Sequence, residues 1–162
     1  RTARPRRPWN RTSDMTFLHG SYDPHPVGRR LVPVRDFSAA WEATPFVQVL
    51  ERYRPDWGVP HAEAVFLCED PDHLDPCGAP LDHVVEVSPE GAFTRHDQNW
   101  ASRICCLLDD HGPDHPEIAR AAEAYWAGHP HPDGPVWEIR CRAAVVTRAR
   151  PDLSEEAPEM TP

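Results

Sequence analysis

Apolar residues recur along this chain in two rhythms, alternation and helical spacing, and prolines or glycines cut both short. Met15 to Leu18 is an apolar run that predicts a strand, stopping at a turn over His19-Gly20-Ser21. Asp23-Pro24-His25-Pro26 and Gly28 read as loop, and Leu31 to Val34 as a brief extended piece. Phe37, Ala40 and Trp41 share a helical face. Thr44-Pro45 then reads as an N-cap and first helical position, and Phe46, Val49, Leu50 and Tyr53 follow at helical spacing until Pro55.

Ala64 to Cys68 predicts a second strand, and Asp70 to Pro80 a loop dense in Asp, Pro and Gly. His83 to Val87 predicts a third strand, closed by the turn Ser88-Pro89-Glu90-Gly91. A helix follows over about residues 98–110, with Trp100, Ile104, Leu107 and Leu108 on one side. A second runs from about His115 to Ala127, with Asp114 and Glu117 as a capping box, Pro116 in the first turn and Gly128 as its stop. Val136 to Arg148 alternates as one long strand, Trp137, Ile139 and Cys141 facing one way and Glu138, Arg140 and Arg142 the other. The order strand, helix, paired strands, two helices, strand has no βαβ rhythm, so the fold class is α+β.

Composition narrows the picture. The 162 residues suit one domain, placed at 15–150 between a basic head at 1–14 and an acidic tail at 151–162, both read as disordered. The head carries five Arg and Asp14, lacks the apolar core of a secretory signal, and leaves Met15 as a candidate start. No run approaches the roughly 18 apolar residues of a membrane span. A formal charge of −9 argues against a nucleic-acid partner, which needs a basic face. All 17 basic residues are arginine, which excludes lysine Schiff-base and P-loop chemistry. Five cysteines, two of them adjacent, are not a disulfide framework and read as reduced thiols in a cytoplasm. There is no G-x-G-x-x-G loop and no G-x-S-x-G elbow.

Four segments in order, FLHGSYDPHPVGRRLVP, AVFLCEDPDHLDPCG, HVVEVSPEGAFTRHD and CRAAVVTR, resemble ADP-ribosyltransferases, most closely the small bacterial rifamycin type. The resemblance spans Phe17 to about Arg148, with Asp36–His61 and Trp100–Gly134 poorly matched. It implies a split, curved β core with small flanking helices, and a transferase that moves ADP-ribose from NAD⁺ to a small-molecule or protein acceptor. Cleavage of the bond between ribose and nicotinamide passes through an oxocarbenium-like state, which a nearby carboxylate stabilises. By resemblance His19 meets the adenosine-side ribose, the Gly20 backbone meets the nicotinamide amide, and Ser21 braces the pocket. Phe66 stands where family members often carry tyrosine, keeping the stacking face and losing the hydroxyl. Asp97 is the first candidate for the carboxylate, and Glu138 on the last strand is its rival.

Each residue also has a plainer reading. His19-Gly20-Ser21 is equally a turn, Phe66 a core residue, Asp97 an N-cap of the helix that follows, and Glu138 a solvated strand residue. Cys68, His73 and Cys77, with Cys105-Cys106 or Cys141, give a rival zinc reading without the usual close ligand pair. Asp70, Asp72 and Asp75 hint at calcium but lack the rest of an EF-hand loop. His129-Pro130-His131-Pro132 reads as a rigid exposed turn. A non-catalytic interaction module of the same fold is the remaining alternative.

Overall fold

A computed structural model describes residues 15–34 and 40–155. The basic head, residues 156–162 of the acidic tail and the Phe37 part of the first helical face lie outside the described residues. The chain is α+β, with one seven-stranded open antiparallel sheet and a few helices. In chain order the elements are β1 (Phe17–Ser21), β2 (Arg30–Leu31), α1 (Pro45–Arg52), β3 (Val65–Cys68), β4 (His83–Pro89), β5 (Phe93–Asp97), α2 (Gln98–His111), α3 (Pro116–Ala127), β6 (Trp137–Cys141) and β7 (Ala144–Ala149). Across the sheet the order is β2-β7-β4-β1-β3-β6-β5.

Several expectations are corrected. The first strand does not stop at a turn but continues through His19 and Gly20 to Ser21, paired with β4 from Phe17↔Val87 to Ser21↔His83. Phe93–Asp97, unassigned in the sequence reading, is an edge strand paired with β6. The single late strand is two strands that part at Arg142-Ala143, β6 joining β3 and β5 while β7 joins β4 and β2. The cap of α3 is His115, whose ring Nδ1 accepts from Glu117 N–H at 3.2 Å, so Asp114 closes no capping box. Thr44 precedes α1 in extended backbone without a side-chain cap bond. The order of the chain also outruns residue 150. Ser154 Oγ accepts from Val84 N–H at 3.0 Å, and Glu155 N–H donates to Leu81 O at 2.7 Å, fastening that stretch to the sheet.

The junction between β1 and β3 is the weak seam of the sheet. Five residue pairs join β1 to β4, whereas β1 meets β3 only at Leu18 opposite Cys68. The sheet also curls. Phe17 on β1 and Phe93 on β5 are three strand positions apart, about 14 Å on a flat sheet, yet their rings meet edge to face at 5.2 Å. The curl lets Phe17, Val65, Leu67, Val87, Ile139 and Val146 share one core. A second core joins the three helices through Leu50, Ile104, Leu107, Ile118, Ala122, Tyr125 and Trp126. Trp126 Nε1–H donates to Leu50 O at 2.8 Å and ties α3 to the end of α1.

Candidate active site

Past the Leu18–Cys68 pair a continued ladder would set Gly20 against Phe66, and no such pairing forms. The strands have splayed, and the His19 side chain spans the gap with Nδ1 2.9 Å from Phe66 O. A carbonyl only accepts, so Nδ1 carries the proton and Nε2 is left as an acceptor. Burial holds the His19 imidazole below its ordinary value, the Phe66 carbonyl opposing this and His25 adding to it. The ring is therefore neutral at pH 7.

A cleft of about 860 Å³ opens at this splay, lined among others by His19, Gly20, Ser21, Phe66, Glu138 and Arg140. Its size is in the range that holds small ligands and nucleotides. Gly20 is required by the protein's own packing. A Cβ there would lie 2.1 Å from Pro80 O and 3.1 Å from Ala79 Cβ, so the missing side chain makes room for the 77–81 loop. The Ser21 hydroxyl donates to Asp23 O and closes a local turn. Phe66 lies with its ring centroid 5.1 Å from that of His61 and 5.0 Å from the Arg140 guanidinium carbon.

The two carboxylate candidates part company. Asp97 is 0 % exposed and is not among the residues lining the cleft. Its Oδ1 accepts from Asn99 N–H and Val136 N–H, both at 3.0 Å, and its Oδ2 from His131 N–H at 2.7 Å. It is the N-cap of α2 and also the tether of the 129–136 loop. His131, whose backbone it holds, packs against Trp100 at 4.6 Å between centroids, so the His-Pro repeat is partly packed rather than a free turn.

Glu138 is not on a solvated face. It is 6 % exposed, lines the cleft, and accepts at Oε2 from Tyr125 O–H at 2.8 Å. Arg140 Nε–H donates to the same phenol oxygen at 2.9 Å, and Arg140 Nη1–H to Val59 O at 3.1 Å. Arg140 is 2 % exposed, with its guanidinium carbon 4.9 Å from the Trp126 ring centroid and 5.4 Å from that of Tyr125. Burial pushes the Glu138 carboxyl above the usual carboxylate range, opposed by Arg140 and by the Tyr125 bond. Tyr125 is itself pinned. His96 Nδ1–H donates to its carbonyl at 2.8 Å, and the His96 ring stacks on the phenol at 4.5 Å.

Sequence reasoning missed Tyr125 and Arg140. Tyr125 had a signal: it extends the stripe Ile118, Ala121, Ala122 at helical spacing, and a buried tyrosine hydroxyl needs a partner. Arg140 had none, because alternation places it on the outward face of its strand.

His73 Nδ1 accepts from Trp137 N–H at 3.2 Å, which removes it from a ligand set with Cys68 and Cys77. Among the described residues no three His, Cys, Asp or Glu side chains are grouped to hold a metal ion, and all five cysteines are free. None of the described helices is long and apolar enough to cross a membrane. No family model, curated protein or solved structure matches the chain.

Proposed function

We propose that the chain is an ADP-ribosyltransferase-like protein that takes NAD⁺ into this cleft and passes ADP-ribose to a small-molecule or protein acceptor, with release of nicotinamide. One observation carries the reading: His19 and the buried carboxylate of Glu138 line the same cleft, at the place where β1 and β3 part. In this reading the splayed, curled sheet is the split core of that fold.

The residues suit the ligand. His19 Nε2 is an acceptor for a ribose hydroxyl, and Phe66 and the apolar walls suit a flat ring. Arg29, which also lines the cleft, is a cation for the pyrophosphate. NAD⁺ supplies the bond between ribose and nicotinamide that breaks. Glu138, once ionised, stabilises positive charge developing on the ribose, and it does so strongly because its surroundings exclude water. Asp97 serves as structure, its carboxylate already committed to three N–H groups.

A binding module without turnover is the second reading, favoured by Phe66, whose ring faces Arg140 and carries no hydroxyl. NAD⁺ calorimetry together with nicotinamide release, for wild type and Glu138→Gln, separates the readings. Release that disappears in Glu138→Gln while NAD⁺ still binds supports transfer. Binding without release in the wild type supports the module, and no binding at all refutes both.

A further inference from the structure

The bonds around Glu138 have only one fully satisfied arrangement. Arg140 Nε can only donate, so the Tyr125 oxygen receives its proton at 2.9 Å. The phenol has a single proton of its own, and Glu138 Oε2 at 2.8 Å is the acceptor for it. Were Oε2 protonated and donating instead, the phenol proton would be left without an acceptor in a fully buried site. The ring cannot swing away. His96 stacks on it from β5, Trp126 meets it edge to face at 5.3 Å, and Tyr125 is 0 % exposed.

We propose that Tyr125 is a positioning residue, whose hydroxyl, held by Arg140, binds Glu138 Oε2 and so presents Oε1 to the cleft. The hydroxyl that Phe66 lacks on β3 is thus provided from α3, beneath the carboxylate instead of across the ligand. Its consequence for turnover rests on the ADP-ribose reading above, whereas the held carboxylate does not.

The groups facing Glu138 are few. Tyr125 comes from α3, Arg140 from β6 itself, His96 from β5 and Cys68 from β3, the last two opposite Glu138 in register. Cys77 approaches from the loop, and Glu51 reaches Arg140 at 4.0 Å. Of these, Tyr125 alone hydrogen-bonds the carboxylate among the described residues, so removing its hydroxyl favours the protonated acid.

Carboxyl ¹³C NMR of wild type and Tyr125→Phe, with Glu138→Gln to identify the signal, tests this. In Tyr125→Phe the Glu138 midpoint rises by about one pH unit. The acid limb of nicotinamide release moves up with it, so kcat on that limb falls about tenfold, and KM for NAD⁺ stays within about twofold. In protein labelled with 3-fluorotyrosine the ¹⁹F signal of Tyr125 titrates with Glu138, and it loses that step in Glu138→Gln. This second measurement decides the matter even where Tyr125→Phe fails to fold. An unmoved Glu138 midpoint in folded Tyr125→Phe, or a Tyr125 signal blind to Glu138, overturns the proposal. A shifted midpoint in a protein that never releases nicotinamide leaves the positioning role standing and removes the transferase reading.

Discussion

Replacing Asp97 separates structure from chemistry more sharply than any other change. Its carboxylate accepts three backbone N–H groups, Asn99 at the start of α2 at 3.0 Å and, from the 129–136 loop, Val136 at 3.0 Å and His131 at 2.7 Å. Hydrogen bonds to a charged group are worth about 1.5–3 kcal/mol each. Three of them sum to more than a single substitution usually costs, because neighbours relax and water enters. An Asp97→Ala loss of about 3–5 kcal/mol is the reasonable expectation. Asp97→Asn keeps one oxygen, which at the Oδ1 position still serves Asn99 and Val136. Its amide then turns a donor toward the His131 N–H, a loss of about 2 kcal/mol. For a domain of this size about 2–4 °C of melting temperature follows each kcal/mol, so Asp97→Ala should melt roughly 10 °C low and Asp97→Asn roughly 5 °C low. Urea unfolding followed by tryptophan fluorescence measures the free-energy losses, and thermal melting the two midpoints. At temperatures where it is folded, Asp97→Asn should release nicotinamide within about threefold of wild type. An Asp97→Ala protein as stable as wild type but without turnover would refute the assignment and return the carboxylate role to Asp97.

Further outcomes follow from the same geometry. Glu138→Gln should lower nicotinamide release by about 10²–10³ while NAD⁺ affinity stays within about threefold, read by calorimetry beside a stopped assay. Wild-type release should rise with pH through the raised Glu138 ionisation, and a profile already flat from pH 4 upward would contradict the buried carboxylate. Gly20→Ala should cost about 1–3 kcal/mol through overpacking, because the Pro80 carbonyl must retreat from a Cβ placed 2.1 Å away; an unchanged urea midpoint would show that the loop yields freely. Acid should destabilise the fold early. Burial lowers His96 to about 3, His61 to about 4, and His19 below its ordinary value. The unfolded chain takes up these protons near pH 6.5 and the folded one refuses them, so stability is greatest above that pH and declines as pH falls through it. Glu138 opposes the decline at its lower end: with a raised folded value, its contribution is present below the unfolded value and lost as pH rises through the folded one. Melting curves from pH 7.5 to 4.5 for wild type and His96→Gln should show a shallower slope in the variant.

Much of the scaffold was legible in residue order alone. Helical spacing places α1, α2 and α3 within a residue or two of their ends, because an apolar face, a starting cap or proline, and a glycine or proline past the end are local properties. Short apolar runs bounded by turn and loop residues place the cores of β1, β3 and β4 for the same reason. The α+β class follows from their order, and the sequence alone offers His19, Gly20 and Phe66 as candidates. In residue order Asp97 reads equally as the first carboxylate candidate and as an N-cap; that it is the cap, with two further N–H groups from residues 131 and 136 converging on it and no place in the cleft, is not legible there.

What residue order left undecided depends on which surfaces meet. Phe93–Asp97 reads poorly as a strand because its burial comes from β6 and from Phe17 across the curl, partners distant in the chain. At Arg142-Ala143 the inward positions change phase, from Ile139 and Cys141 to Ala144 and Val146, and the apolar run Ala143–Val146 hides that change in the sequence. Glu138 and Arg140 lie on one face of β6, and nothing local says that Tyr125 and Trp126 of α3 reach that face. An acidic or basic side chain on a strand acquires its chemistry from what lies over it. Here Tyr125 from α3 sets a phenol between two charges that the fold takes out of water, so the location and strength of the carboxylate belong to the tertiary structure.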